Sequence, residues 1–386
     1  MIKLLGNLCR IVSLIWVLPT ILVWLLLYPI CKFKIAYIEV SRIGNSILEF
    51  FSALEYKKSR VRRTKFYILI EKSNPANFYW ESLIHKHLVV APYFLNDIHF
   101  WIKKFKITDL FLADMFSPIK NEKRSSNTNL MSEQDNSYCV SILEKNNILI
   151  KEPFIVLHIR DSKYLEYRNK NKDWSYHSYR DSNIETYRDT VNYLISLGYY
   201  VVRTGRNMEK ELKIDSDNFL DYSFSNTQDD KLDIWLFLNS SAIISTGSGP
   251  DMLGIVNEKP ILFLNILPLS NFHYYLNCMW GPKILTDLKT GKFLTLENYL
   301  KSNFTRTEDY KLSGIEFSDL TSTDIMEITR EFIEHKLSNQ TSMSNSVIQE
   351  IFWQQLYLNN GNIYKNNKSK KARLSEYWFK KYLENE

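Results

Sequence analysis

Short apolar runs rich in β-branched residues alternate with helical segments along the whole chain. In the second half, the candidate strands are FIVLHI (154–159), YYVVRT (199–204), AIIST (242–246) and PILFLN (260–265). In the first half they are FKIAYIEV (33–40) and KFYILIE (65–71). Strands separated by helices of this length form parallel sheets whose faces the helices cover. The sequence therefore predicts an α/β fold with two Rossmann-like domains.

A polar segment without periodicity, residues 120–137, separates the two blocks and is typical of an exposed linker. The chain of 386 residues is long enough for two domains of ordinary size. We predict an N-terminal domain at 33–150, a second domain at 151–342, and a C-terminal helix with a basic tail at 343–386. The tail contains interleaved aromatic residues, so it is either a membrane-surface helix or a terminal helix that packs through those rings.

Residues 11–31 contain no charged side chain, and basic residues stand on both sides of this run. A helix of that length is about 30 Å long, which matches the hydrocarbon core of a bilayer. No small-residue cleavage site follows it, so an anchor at 1–32 is favoured over a cleaved signal peptide. Pro19 and Pro29 would kink the helix, and an anchor that lies in the membrane plane therefore remains an alternative to a spanning one. A helix buried in the core of the protein is the third possibility.

Charge and cysteine content narrow the function classes. The formal net charge is +6, from 49 basic and 43 acidic residues, which fits anionic lipids or ligands but is too weak and scattered for nucleic acid. The cysteines form no CxxC pair and no metal-ligand spacing, so we expect reduced thiols and a cytoplasmic location. Asp215 and Asp217 form a carboxylate pair in a charged stretch that is typical of an exposed turn. We predict no metal site.

His158, Arg160 and Asp161 stand together at the end of the strand FIVLHI. In open α/β sheets, ligands bind outside the carboxyl ends of the strands. A guanidinium group offers a bidentate donor fork to a phosphate. His158 would orient the loop or donate to the ligand, and Asp161 would hold Arg160 or act as a base on an acceptor hydroxyl. A purely structural His-Arg-Asp network fits the same residues.

Three further segments offer groups that bind anions. The loop 245–250 has glycines at a strand-to-helix turn, where backbone N–H groups favour a phosphate. Arg180 precedes a predicted helix, and a third strand ends at Arg203 to Gly205. Including Arg160, the candidate donor-binding residues are Arg160, Arg180, Arg203, Gly205, Thr246, Gly247, Ser248 and Gly249.

Over residues 150–265 the chain resembles a family of bacterial surface-carbohydrate glycosyltransferases with a GT-B-like fold. The pattern is H-x-R-D-S, then Y-R before a helix ending in G-Y-x-V-x-R-x-G, then a small Ser/Gly loop. The matching positions are His158, Arg160, Asp161, Ser162, Tyr179, Arg180, Asn183, Tyr187, Gly198, Tyr199, Val201, Arg203, Gly205 and the loop 246–249. The resemblance implies a nucleotide-sugar donor on the second domain.

The resemblance extends to S-R-I-G-N at 41–45, where Asn45 stands in place of the family's His. It implies that the N-terminal domain receives the acceptor. The acceptor-side candidates are Arg42, Gly44, Asn45 and Tyr179. A histidine base in that domain is not expected.

The sequence thus favours a metal-independent glycosyltransferase without a cofactor, which takes a nucleotide-sugar donor and a glycan or lipid-linked acceptor. It would act at the cytoplasmic face of a bacterial inner membrane. Two alternatives remain. A non-catalytic membrane scaffold for polysaccharide assembly fits the anchor and the basic tail. A phosphoryl transferase fits the anion-binding groups, and it would require a metal and a carboxylate pair.

Overall fold

A computed structural model describes residues 2–114, 130–150, 153–168, 173–271, 277–337, 346–360 and 372–383. The chain forms two compact units, Met1–Ser132 and Glu133–Glu386. Both contain parallel strands connected through helices, so the predicted α/β class is confirmed.

The first unit is built around a β-α-β motif. Its elements are α1 (Ile2–Leu27), β1 (Lys32–Ile38), α2 (Ile43–Ser59), β2 (Thr64–Ile70), α3 (Phe78–His87), α4 (Ile98–Lys104) and α5 (Thr108–Phe111). β1 and β2 pair in parallel from Lys32↔Thr64 to Ile38↔Ile70, and single parallel bridges add Leu112 beside β1 and Val90 beside β2. The described sheet of this unit is therefore shorter than that of a complete Rossmann domain.

The N-terminal helix α1 continues through Pro19 and packs along one side against the rest of the first unit. Its residues Val17, Ile21 and Trp24 are buried in the same apolar core as Trp101 and Phe111. The stretch Cys9–Leu27 is long and apolar enough to cross a membrane, and 22% of its most apolar window is buried. The predicted apolar helix is present, but it is not separate from the N-terminal domain.

The second unit contains the larger sheet. Its helices are α6 (Glu133–Lys145), α7 (Lys163–Arg168), α8 (Arg188–Ser196), α9 (Asp230–Asn239), α10 (Asp251–Val256), α11 (Leu296–Lys301), α12 (Thr307–Leu312), α13 (Ser322–Phe332), α14 (Val347–Asn360) and α15 (Glu376–Tyr382). Its strands are β3 (Phe154–His158), β4 (Tyr200–Arg203), β5 (Phe219–Asp221), β6 (Ala242–Ser245), β7 (Ile261–Ile266), β8 (Cys278–Pro282), β9 (Ile284–Asp287), β10 (Ile315–Ser318) and β11 (Arg373–Leu374). All residues of the central strands β3, β6 and β7 are buried, which explains their continuous apolar character.

Seven parallel strands form this sheet in the order β5-β4-β3-β6-β7-β8-β11. The first six follow the doubly wound Rossmann order 3-2-1-4-5-6, when strands are numbered from β3. The chain reverses direction across the sheet between β3 and β6, which pair from Ile155↔Ala242 to His158↔Ser245. Ligands of such sheets bind at this switch point, outside the carboxyl ends of the two strands.

Two segments differ from the sequence expectations. Residues 133–137 belong to α6, which joins the second unit through an ion pair between Lys231 and Asp135 (2.6 Å), so the unit boundary precedes residue 150. The other part of the expected linker, 120–129, lies outside the described residues. The segment 343–386 is not a separate tail, because β11 extends the large sheet.

The aromatic C-terminal helix α15 packs onto the second unit. Trp378 is fully buried, and Lys381 donates a hydrogen bond to Asp324 (2.6 Å). Its rings therefore fill the core, as in the second of the two readings of the tail. Residues 361–371 of the basic tail lie outside the described residues.

Candidate functional site

The predicted histidine-arginine-aspartate segment lies at the switch point of the large sheet. The backbone N–H of Arg160 donates to Thr246 Oγ1 (3.0 Å), and the Thr246 N–H donates to the carbonyl of His158 (3.3 Å). These bonds join the loop after β3 to the loop after β6. The structure therefore brings together two of the segments that the sequence proposed as one site.

His158 is a buried and uncharged member of this site. Its Nδ1 lies 3.0 Å from Thr204 Oγ1, and its ring meets Phe237 edge-on. Burial lowers the pKa of His158 to about 4, since the charged imidazolium would lose its hydration. At neutral pH this histidine orients the strand end and supplies no positive charge.

Arg160, Arg180 and Asp181 form the charged centre of the site. Arg160 Nε lies 3.3 Å from Asp181 Oδ1, although that oxygen accepts no hydrogen bond from the residues that the structure describes. Burial and the nearby charge of Arg180 lower the pKa of Arg160 to about 10, so it stays protonated at neutral pH. Burial raises the pKa of Asp181 to about 6. Arg160 thus has one poorly directed carboxylate as its partner, and the charge of Arg180 lies nearby.

Arg180 is held by a backbone group. Its Nη2 donates to the carbonyl oxygen of Gly247 (2.6 Å), and it forms no ion pair within the described part of the chain. The Arg160–Arg180 pair therefore carries an excess of positive charge at the edge of the sheet. An anionic ligand would relieve the repulsion between the two cations.

The Ser/Gly loop is arranged differently from the expected phosphate cradle. The Gly247 N–H donates to Ser245 Oγ (3.1 Å), and the Ser248 N–H donates to Asp251 Oδ2 (2.5 Å). These two donors are therefore satisfied within the chain. Burial raises the pKa of Asp251 to about 7, and its carboxyl group lies directly beneath the loop. Two of the loop residues that were expected to bind the sugar donor instead accept hydrogen bonds from the arginines. The Thr246 hydroxyl oxygen accepts from the Arg160 N–H, and the Gly247 carbonyl oxygen accepts from the Arg180 side chain.

Arg203 and Gly205 also differ from the expectation that they bind the donor. Arg203 is 1% exposed and forms an ion pair with Asp221 (2.7 Å) across β4 and β5. Its Nη1 also donates to the carbonyl of Lys210 (2.6 Å). Gly205 has φ +150°, and a Cβ there would lie 2.6 Å from Met208 Sδ. Both residues shape the loop after β4, and the charge of Arg203 is already compensated.

Asp161 connects two loops beside a cleft of about 630 Å³. Its two oxygens accept from the Lys163 N–H (3.0 Å) and from the Glu209 N–H (2.9 Å), so it does not hold Arg160. Most of the residues that line the cleft are polar or charged, and neither Arg160 nor Arg180 is among them. The lining residues are Ile159, Asp161, Ser162, Asp181, Ser182, Asn183, Ile184, Arg203, Glu209, Lys210 and Asp319. Asp181 is thus shared between the arginine pair and the cleft.

Sequence reasoning missed a buried network that supports Asp181 and Ser182. Lys283 donates to the carbonyl of Asp181 (2.8 Å) and to the carboxylate of Asp319. Ser182 Oγ donates to Asp319 Oδ2 (3.2 Å) and accepts from Asn265 Nδ2 (2.9 Å). Asn265 has a φ of +52° and is the last residue of the apolar run PILFLN. A polar residue at the end of such a run was the sequence signal that could have indicated this network. No sequence motif around Lys283 or Asp319 indicated that these residues belong to a site.

The acceptor-side candidates belong to two different units. Tyr179 belongs to the second unit, where it is buried and packs against Tyr310. In the first unit, α2 begins before Gly44, and Asn45 Nδ2 donates to Glu39 Oε2 (2.7 Å). Arg42 forms an exposed ion pair with the same Glu39 (3.5 Å). Tyr179 is thus a packing residue, and Arg42 with Asn45 surrounds a carboxylate at the carboxyl end of β1.

Asp215 and Asp217 are exposed, as expected for a turn. Within the described residues, no group of three or more His, Cys, Asp or Glu side chains is placed to hold a metal ion.

No family model and no curated protein matches the chain. Three solved structures are similar to it at low sequence identity. The glycosyl transferase family 9 protein from Veillonella parvula DSM 2008 is 11% identical with a TM-score of 0.43, over 78% of this chain and 97% of that one. The E. coli ADP-heptose lps heptosyltransferase II is 14% identical with a TM-score of 0.32, over 60% and 84%. The wall teichoic acid polymerase TagF is 14% identical with a TM-score of 0.23, over 60% and 70%. The fold assignment of this chain rests on its own seven-stranded sheet.

Proposed function

We propose that this chain is a glycosyltransferase that moves a sugar from a nucleotide-sugar donor to a surface-carbohydrate acceptor. The observation that carries the proposal is the Arg160–Arg180 pair at the switch point of a Rossmann-ordered sheet. A donor diphosphate supplies the anion that this pair lacks, and guanidinium groups bind phosphate oxygens in a bidentate manner. The resemblance of residues 150–265 to surface-carbohydrate glycosyltransferases supports the same assignment.

The neighbouring cleft suits the transferred sugar better than the phosphates. Its oxygen-rich lining includes Asp161, Ser182 and Asp319, whose side chains accept or donate hydrogen bonds to hydroxyl groups. Carboxylates there would repel a diphosphate. We therefore assign the diphosphate to the arginine pair and the sugar hydroxyls to the cleft, with Asp181 between them.

In the proposed reaction, the bond between the sugar anomeric carbon and the diphosphate oxygen breaks, and an acceptor hydroxyl oxygen bonds to that carbon. The diphosphate leaves with the electron pair, and the acceptor proton passes to a base. Arg160 and Arg180 stabilise the charge that develops on the leaving group. Because these cations can fill the role of a divalent ion, we propose that transfer needs no metal.

The expected location of the protein follows from its nucleotide-sugar donor and from the apolar helix α1. We place the protein at the cytoplasmic face of a bacterial inner membrane, because nucleotide sugars are made in the cytoplasm and the apolar surface of α1 requires a bilayer.

Two alternative functions make other demands on the site. A scaffold role would leave the arginine pair without a ligand. A phosphoryl transferase would need a metal held by a carboxylate pair, so a reaction that depends on a divalent metal would favour that alternative.

Donor binding is tested by thermal unfolding of the purified chain with nucleoside monophosphates, nucleoside diphosphates and nucleotide sugars, with and without a chelator. We expect one nucleoside diphosphate and its sugar to raise the Tm by several degrees, since a ligand at 100 times its Kd stabilises by about 2.7 kcal/mol. The shift should persist in the chelator.

The matched control for donor binding is a pair of arginine variants. Arg180→Ala should abolish the shift in Tm, whereas Arg330→Ala, at an exposed ion pair with Glu327, should retain it. Equal shifts in both variants would contradict the assignment of the diphosphate, and a shift that requires Mg²⁺ would contradict the metal-independent mechanism.

A further inference from the structure

From Ile11 to Leu27 the helix α1 carries no charge and is apolar on every side, but the rest of the described chain covers only one of its faces. The buried face repeats at helical spacing through Ser13, Val17, Ile21 and Trp24. The opposite face carries large apolar side chains that are exposed to solvent, among them Ile15 (73%), Leu22 (57%) and Leu26 (78%). An apolar helix surface of this length without any charge is stable only against another apolar phase.

The covered face is fixed by specific contacts. Trp101 Nε1 donates to Ser13 Oγ (3.1 Å), Trp16 Nε1 donates to the carbonyl of Phe94 (2.7 Å), and Trp24 stacks on Phe33 with ring centroids 5.2 Å apart. These contacts extend from Ser13 to Trp24, which is about 16 Å of helix at 1.5 Å per residue. The helix therefore lies alongside the first unit and does not project from it.

The edges of the exposed face are basic and aromatic. Lys104 lies over the ring of Trp101 (5.7 Å), and Arg10 lies over the ring of Phe100 (4.6 Å). At the other end of the helix, Lys32 lies over the ring of Tyr28 (5.8 Å). Exposed rings and lysines also occur on the segments whose neighbouring residues pack against α1; they are Tyr93, Phe94, Lys103, Phe105 and Lys106. Aromatic rings with basic groups at the border of an apolar strip are typical of the lipid headgroup region.

We infer that α1 is an in-plane membrane anchor, whose exposed face enters one leaflet of an anionic bilayer while its other face stays on the first unit. A spanning α1 would have to leave Trp101 and Phe111, or draw the polar surface of that unit into hydrocarbon. Two copies of this surface would bring their basic borders together and repel each other, whereas anionic lipid headgroups complement them. This inference is independent of the reaction at the arginine pair.

The test uses the full chain and preformed vesicles of phosphatidylcholine with phosphatidylglycerol. Ile15→Asp with Leu26→Asp should weaken vesicle binding about 100-fold, because each buried aliphatic side chain contributes a factor of about 10. The control is Leu312→Asp in the second unit, where the side chain is 87% exposed, and its vesicle binding should equal that of the unsubstituted protein. Equal binding of the double variant and the control would overturn the inference.

Two further measurements separate the other occupants of this face. A peptide tag on the N-terminus should be cleaved by protease added to sealed membrane vesicles whose cytoplasmic face is outward. Protection of the tag would show that α1 spans the bilayer and would overturn the in-plane orientation. Ultracentrifugation of the protein without lipid should give the same molecular mass for the unsubstituted chain and the double variant. A dimer that the two substitutions dissociate would assign the face to a second copy and would overturn the inference as well.

Discussion

Replacing Arg160 with alanine should lower the turnover of sugar transfer by about 10²-fold or more, which is the scale of losing one preorganised donor to a developing oxyanion. The leaving diphosphate gains charge as the sugar bond breaks, so a fixed guanidinium stabilises the transition state more than the ground state. Donor affinity should fall less than turnover, because Arg180 still carries a charge beside the ligand. Arg160→Lys should restore part of the rate, since an ammonium group supplies the charge without the bidentate fork.

The control for the Arg160 prediction is thermal unfolding of the same purified variants. Arg160 braces the site through its pairing with Asp181 at 3.3 Å, so a purely structural role would appear as a lower Tm with unchanged turnover of the folded enzyme. That result would contradict the assignment of Arg160 to the reaction. Arg330→Ala, whose ion pair is on an exposed helix surface, provides the matched arginine variant that should change neither quantity.

Replacing Arg203 with leucine should instead destabilise the second unit by about 3–5 kcal/mol, because it leaves the buried carboxylate of Asp221 without its cation. For a unit of this size, that loss corresponds to a Tm lower by roughly 5–20 °C. Removal of both charges with Arg203→Leu and Asp221→Leu should recover much of the stability, because a buried ion pair can be replaced by apolar residues at little net loss.

The Arg203 prediction also decides between the sequence expectation and the geometry. If Arg203 bound the donor, Arg203→Leu would retain its Tm and lose the shift caused by nucleoside diphosphates. If it braces β4 and β5, the double variant should unfold near the Tm of the unsubstituted protein and still respond to the donor. Thermal unfolding of the three proteins, with and without the nucleotide, separates these results.

The sequence alone indicated which segments form buried strands. Continuous apolar runs such as FIVLHI and PILFLN are strands buried on both faces; in the structure β3 lies within the first run, and β7 covers all but the first residue of the second and extends one residue beyond it. The alternation of strands and helices determined the parallel sheet, since parallel neighbours need a crossover connection. Arg160 was proposed as a site residue for the same reason, because a polar cluster at the end of a buried strand points to the edge where ligands bind.

Only the tertiary structure decided which side chains of the site pair with each other through ion pairs and hydrogen bonds. Asp161 follows Arg160 directly in the chain, yet Arg160 pairs with Asp181, because successive residues after a strand point in different directions and Asp161 turns to two backbone N–H groups. The glycines near Gly247 indicated an open cradle, but Ser245 and Asp251 already occupy the N–H groups there. Hydrogen-bond satisfaction inside a loop depends on distances that residue type does not encode.

The same distinction holds for α1. Its uncharged run determined that the helix needs an apolar environment, because no side chain between residues 11 and 31 can be hydrated as a charge. Composition could not tell a helix surrounded by lipid from one that is half covered by protein, since both faces are equally apolar. The packing of Val17, Ile21 and Trp24 against the core of the first unit showed that protein covers one face of the helix. Those contacts join α1 to residues some 70 to 90 positions later in the chain, such as Trp101 and Phe111, and only the tertiary structure brings such residues together.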